Sequence, residues 1–94
     1  MTALAETVRP ALAPGVRLHF DKRRNGWLLL APERVIEMDG PAPEVLKRCD
    51  GTRTLGAIID ELASAFAADR QVIADDVGDL LAGLAAKRLL RLDP

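Results

Sequence analysis

The side chains in this 94-residue chain best suited to nucleophilic or acid–base chemistry are one His (His19), one Cys (Cys49) and one Ser (Ser64), and tyrosine is absent. A hydrolytic triad would have to join Ser64 to His19. Ser64 lies among alanines in a helical stretch with none of the strained turn that exposes a nucleophile. His19 falls on the polar side of an alternating segment, so both read as surface residues. Cys49 sits on the apolar stripe of a helix and reads as a small buried hydrophobe. Lys47 and Arg48 adjoin it, but consecutive helix residues point apart, which argues against an activated thiolate. One His and one Cys would need two carboxylates to complete a zinc site, against the usual clustering of His and Cys ligands. The seven glycines are scattered singly, so no phosphate-cradling loop exists. This inventory predicts no enzyme, no metal and no cofactor.

Two charge features remain. Lys22-Arg23-Arg24 is a basic triplet that reads first as a soluble turn. Asp75, Asp76 and Asp79 open a helix, where acids favour the N-terminal dipole. A solvated face is their plain reading, and a docking surface for a basic partner is the sharper one. From Thr54 to Ala86 there are six acids and one base, Arg70. Phosphates dominate nucleic-acid affinity and would repel such a region. The alternative of a small winged-helix nucleic-acid-binding regulator therefore rests only on the basic triplet acting as a wing.

These residues must be held by a small scaffold. Ninety-four residues make one domain; 49% are hydrophobic but only 3% aromatic, so the core is aliphatic. The net charge of −1 lacks the basic excess of proteins that live on nucleic acid or anionic membrane. A single Cys suits a reducing cytoplasm, and no apolar run approaches a membrane span. Residues 1–15, with Pro10 and Pro14 and no periodicity, read as an extended or mobile arm ahead of a single domain over 16–94.

Val16, Leu18 and Phe20 alternate with polar residues as a strand does, and Asn25-Gly26 predicts a tight hairpin turn. Trp27–Leu30 is a short apolar run suited to a central strand, and Glu33–Asp39 predicts a third strand. After Gly40 the period becomes helical. Ala42, Val45, Leu46 and Cys49 form one face; Leu55, Ile58, Ile59, Leu62, Ala63 and Phe66 form a second. Val72, Ile73, Val77, Leu80, Leu81 and Leu84 form a third, and Leu89, Leu90 and Leu92 end the chain as an apolar tail. Strands followed by helices indicate an α+β fold, a winged helix-turn-helix variant with a three-stranded antiparallel sheet followed by three helices. An open sheet also leaves unpaired backbone groups on an outer strand, to which a peptide can add. Glu33–Asp39 is that strand. The open edge, the arm and the tail also leave a homodimer open, including a swapped one.

The runs Ala13-Pro14-Gly15-Val16-Arg17-Leu18, Leu29-Leu30-Ala31-Pro32-Glu33 and Cys49-Asp50-Gly51, with Asp76-Val77 and Leu80-Leu81, resemble the pyrroloquinoline quinone biosynthesis protein D (PqqD) family. The likeness runs from about Pro14 to Leu92; the glycine often seen at the family's last helix end is replaced by Lys87-Arg88. It implies a RiPP recognition element, a peptide chaperone that binds the precursor peptide PqqA. The chaperone would present PqqA to the radical S-adenosylmethionine enzyme PqqE, which cross-links a Glu and a Tyr. By the same likeness the peptide would lie along the third strand, on Arg34, Val35, Ile36, Glu37 and Met38. Val72, Asp76, Asp79, Leu80 and Gly83 would wall the cleft from the third helix. Proline at Ile36 is expected to weaken peptide binding by removing a ladder donor.

Overall fold

The computed structural model describes residues 4–93. In order along the chain, these form β1 (Arg9–Leu12), β2 (Arg17–Asp21), β3 (Gly26–Ala31), β4 (Arg34–Met38), α1 (Ala42–Lys47), α2 (Leu55–Ala65), α3 (Arg70–Ala86) and β5 (Leu90–Asp93). β2, β3 and β4 make an antiparallel sheet in that order, and the helices follow it, so the α+β reading holds. The chain does reverse after β2, but Asn25-Gly26 is not the centre of a two-residue turn. Lys22–Asn25 form a wider loop in which Asn25 takes φ 51°, and Gly26 already pairs with Asp21. The Asp21 carboxylate accepts the Arg23 N–H at 3.0 Å, the side-chain-to-backbone bond that favours this loop.

The segment set apart as an arm is extended but tied down; its residues 1–3 lie outside the described residues. β1 pairs antiparallel with β5, Pro10 opposite Leu92 and Leu12 opposite Leu90, so the apolar tail is the other half of a two-stranded ribbon. Ahead of β1, the carbonyls of Val8 and Glu6 accept the N–H groups of Leu55 (2.8 Å) and Gly56 (2.9 Å). Those are first-turn donors of α2 that have no partner within the helix. The Glu6 carboxylate then meets Arg70 at 2.6 Å, joining the segment to the start of α3.

The inner face of the sheet and the three helices enclose an aliphatic core in which Leu29, Ile58 and Leu81 are fully buried. α2 turns Leu55, Ile58, Ile59 and Leu62 inward behind an N-cap at Thr54, whose hydroxyl accepts the Ala57 N–H. Phe66, expected on that buried face, is instead 48% exposed. The helix ends just before it, because Ala67 adopts φ 49° and the Ala68 N–H returns to the Ala63 carbonyl. Val72 likewise leaves the expected apolar face of α3 and is 55% exposed. α3 starts on an Asp69 cap and closes with Arg88 at φ 63°, its Leu89 N–H bonded back to Leu84. A side-chain-bearing residue thus takes the left-handed position usually given to glycine.

Candidate functional site

Among the described residues, β4 is an outer strand, hydrogen-bonded only to β3. Pro32 and Glu33 make a two-residue turn closed by Ala31 and Arg34, with Glu33 at φ 64°. The closing pair of such a turn exchanges hydrogen bonds, and bonded pairs then alternate along an antiparallel ladder. Arg34, Ile36 and Met38 therefore direct their N–H and C=O groups at β3, opposite Ala31, Leu29 and Trp27. Val35 and Glu37, opposite Leu30 and Leu28, direct theirs outward. The free edge consequently offers two donors and two acceptors. This parity corrects the expectation for Ile36: proline there would remove a bond of the sheet itself, not one available to a peptide.

α3 runs beside β4 in the opposite sense. At one end Arg34 donates through Nη2 to the Lys87 carbonyl at 3.1 Å. At the other, Asp39 and Asp76 line the same cleft. Five strand steps from Arg34 to Asp39 span about 17 Å. Eleven helical steps from Asp76 to Lys87 span about 16.5 Å, so the two segments match in length between these points. The cleft itself lies beyond the end of β4, between α1, the end of α2 and α3; it is about 210 Å³, and its walls are mostly apolar: Pro41, Ala42, Val45, Leu62, Phe66, Ile73, Val77 and Leu80.

Of the residues expected to bind, Asp76 and Leu80 line this cleft. Val35 is 63% exposed at the edge, and Glu37 is exposed but paired with Arg24 at 3.2 Å. Ile36 is half-buried against the core, and Met38 is buried within it, so neither lies on the outer surface of the strand. Arg34 is committed to the end of α3. Val72, Asp79 and Gly83 are exposed on α3 but do not line the cleft. Ile73 and Val77 do, and were read from the sequence only as core. Their spacing with Leu80 is one helix face; that the face is only partly covered is invisible without the end of α2 and the start of α1. Phe66 carried a signal, being one of two phenylalanines at the end of a helical stripe.

The remaining chemistry is sparse. His19 and Ser64 are exposed on β2 and α2, and no hydrogen bond joins them. Cys49 is buried with Sγ donating to the Val45 carbonyl at 3.3 Å. Burial, with a smaller push from Asp50, raises its thiol to about 12, the opposite of an activated nucleophile. Among the described residues no three His, Cys, Asp or Glu side chains are grouped to hold a metal ion, and no helix is long and apolar enough to cross a membrane. Arg70, the one base on the helical region from Thr54 to Ala86, is held between Glu6 and Asp60, both at 2.6 Å. α3 thus offers a DNA groove carboxylates rather than cations.

Comparison with known proteins bears on this geometry. The family model for coenzyme PQQ synthesis protein D (PqqD) matches residues 26–90. A PqqA binding protein of Xanthomonas oryzae pv. oryzae (strain PXO99A) is 51% identical over 92 residues, covering 98% of this chain and all of the relative. One from Rhodopseudomonas palustris (strain BisB5) is 47% identical over 87 residues, covering 93% and 85%. Among solved structures, the solution structure of the PqqD truncation of Methylobacterium extorquens PqqCD is described as a functional, stand-alone RiPP recognition element. It superposes with a TM-score of 0.81 at 45% identity, covering 96% of each chain. The crystal structure of PqqD from Xanthomonas campestris gives a TM-score of 0.61 at 48% identity, covering 95% and 99%.

Proposed function

The chain belongs to the PqqD family, and from that premise we propose that it is a non-enzymatic peptide chaperone of pyrroloquinoline quinone biosynthesis that binds the precursor peptide PqqA. The observation that carries this reading is the open edge of β4 with α3 alongside it. Val35 and Glu37 present backbone donors and acceptors along a groove that ends in an apolar cleft. A peptide entering as a further antiparallel strand gains backbone bonds from the edge, and selectivity from the cleft. The chaperone unit spans residues 16–94, steadied by β1 through its pairing with β5. It works in the cytoplasm and holds PqqA for the radical S-adenosylmethionine enzyme PqqE.

Titrating isotope-labelled protein with a synthetic Xanthomonas PqqA peptide tests the binding. The expected result is saturable amide shifts at Val35 and Glu37 and along the face of α3 from Ile73 to Leu80. Absence of shifts on β4 at a large peptide excess refutes the groove. Co-elution of PqqE with the protein–PqqA complex, and failure of PqqE to modify PqqA without the protein, test the presentation step.

A further inference from the structure

Resting on the reading that a peptide adds to β4, we propose that the cleft selects the peptide by two features. One large apolar side chain fills it, and a Lys or Arg within two residues of that side chain is held by Asp39 and Asp76 at the rim.

The charge argument comes from a survey of the carboxylates. Asp21 and Glu37 meet Arg24; Glu44 meets Lys47 and Arg48; Glu61 meets Arg48 and Arg53. Asp50 pairs with Arg53, Asp93 with Arg91, and Glu6 and Asp60 share Arg70. Asp69 caps α3, and Asp75 accepts from Gln71. Among the described residues, the acids whose side chains have neither a cation nor a hydrogen-bond donor are Glu33, Asp39, Asp76 and Asp79. Asp39 and Asp76 stand on opposite walls of one cleft, and Asp79 is on the next turn of α3. Of these four uncompensated acids, two face each other across the cleft and a third stands one turn along α3, whereas unpaired cations, Lys22, Arg23, Lys87 and Arg88 among them, lie outside its lining. That asymmetry selects a cationic partner.

The apolar half follows from the cleft itself. Apart from the two rim carboxylates it is walled by aliphatic and aromatic groups, with Phe66 half exposed over it. A cavity of roughly 150 Å³ with such walls already holds a benzene ring. At about 210 Å³ the cleft has room for a Leu, Met or Phe side chain. It begins where β4 ends, at Asp39, so a strand added on Val35 and Glu37 delivers its next residues there.

The test uses the whole protein, the double variant Asp39→Asn/Asp76→Asn, and synthetic Xanthomonas PqqA. Single peptide variants carry Lys or Arg replaced by Gln, or a large apolar residue replaced by Ala. At low salt the protein variant is expected to bind PqqA roughly three- to tenfold more weakly, the effect shrinking at high salt. That loss should vanish against one of the Gln peptides, and one Ala peptide should no longer shift Leu80. Unchanged affinity of the double variant, with the β4 shifts intact, overturns this inference and leaves the chaperone reading standing. Absence of β4 shifts with unmodified peptide overturns both. Concentration-dependent shifts at Phe66 and Leu80 without peptide assign the cleft to a second copy of the chain and overturn the proposal.

Discussion

Replacing Val35 by proline removes one outward N–H from β4 without touching the bonds between β4 and β3, because Val35 occupies a non-bonded position opposite Leu30. The edge strand tolerates this, since proline is compatible with strands where the missing donor faces solvent. An added peptide strand uses the N–H and C=O of Val35 and Glu37, four backbone bonds worth about 0.5–1.5 kcal/mol each in net terms. Loss of one donor also leaves a peptide carbonyl desolvated and unpaired, so the cost is about 1–3 kcal/mol. At about 1.4 kcal/mol per tenfold, the Kd for PqqA should rise roughly five- to 150-fold. Val35→Ala keeps the N–H and removes only an exposed side chain, so it should stay close to wild type in affinity. Ile36→Pro is the internal contrast. It breaks the pairing with Leu29 at the centre of the sheet and should cost about 3 kcal/mol of stability, visible as a loss of ten degrees or more in Tm. Calorimetric titration of folded Val35→Pro and Val35→Ala with PqqA, with thermal melts of all three variants, decides the matter. Equal affinities for the two Val35 variants would refute backbone addition at this edge.

Three further outcomes concern the scaffold. Ala67 and Arg88 hold left-handed φ values of 49° and 63° at helix ends, so Ala67→Gly and Arg88→Gly should each stabilise by about 0.5–1 kcal/mol. Urea unfolding checks this, and a loss of stability in both would contradict the capping geometry. The Asp50 carboxyl is held at about 2 by the Thr52 N–H, then by the Arg53 N–H and the Thr52 hydroxyl. A carboxyl depressed in the folded state stabilises above its unfolded pKa near 4, and that stabilisation is lost as pH falls toward 2. The stability gap between wild type and Asp50→Asn should therefore narrow from pH 5 to pH 2; a constant gap would remove Asp50 from the acid response. Cys49, buried and protonated, should react with a thiol reagent at pH 8 only as fast as the fold opens, and at once in denaturant. Immediate stoichiometric reaction of the native protein would contradict its burial.

Local signals made much of this fold legible. The alternation in Val16–Phe20, the apolar run Trp27–Leu30 and the helical stripes from Ala42 onward depend on periodicity within a few residues, and the elements formed there, although α1 stops at Lys47 short of Cys49 and α2 at Ala65 short of Phe66. Thr54 and Asp69 cap helices for the same local reason, through their own side chains. The sparse catalytic inventory and the acidic helical region could likewise be read directly, being matters of composition.

Partnership was decided in three dimensions. β1 becomes a strand only because β5, some eighty residues later, supplies its ladder, so its sequence carries no turn or alternation to announce it. Phe66 follows the last turn of α2 and Ile73 lies on α3, and the cleft they share exists only once α2, α3 and the start of α1 are docked. The edge of β4 makes the division plainest. Sequence alone identified Glu33–Asp39 as the strand a peptide would meet, because the helical region starts directly after it, and the family resemblance narrowed this to Arg34–Met38. It could not say that Val35 and Glu37 face the newcomer while Ile36 faces β3. That depends on the parity of the ladder, set by how many residues the turn spends before pairing resumes.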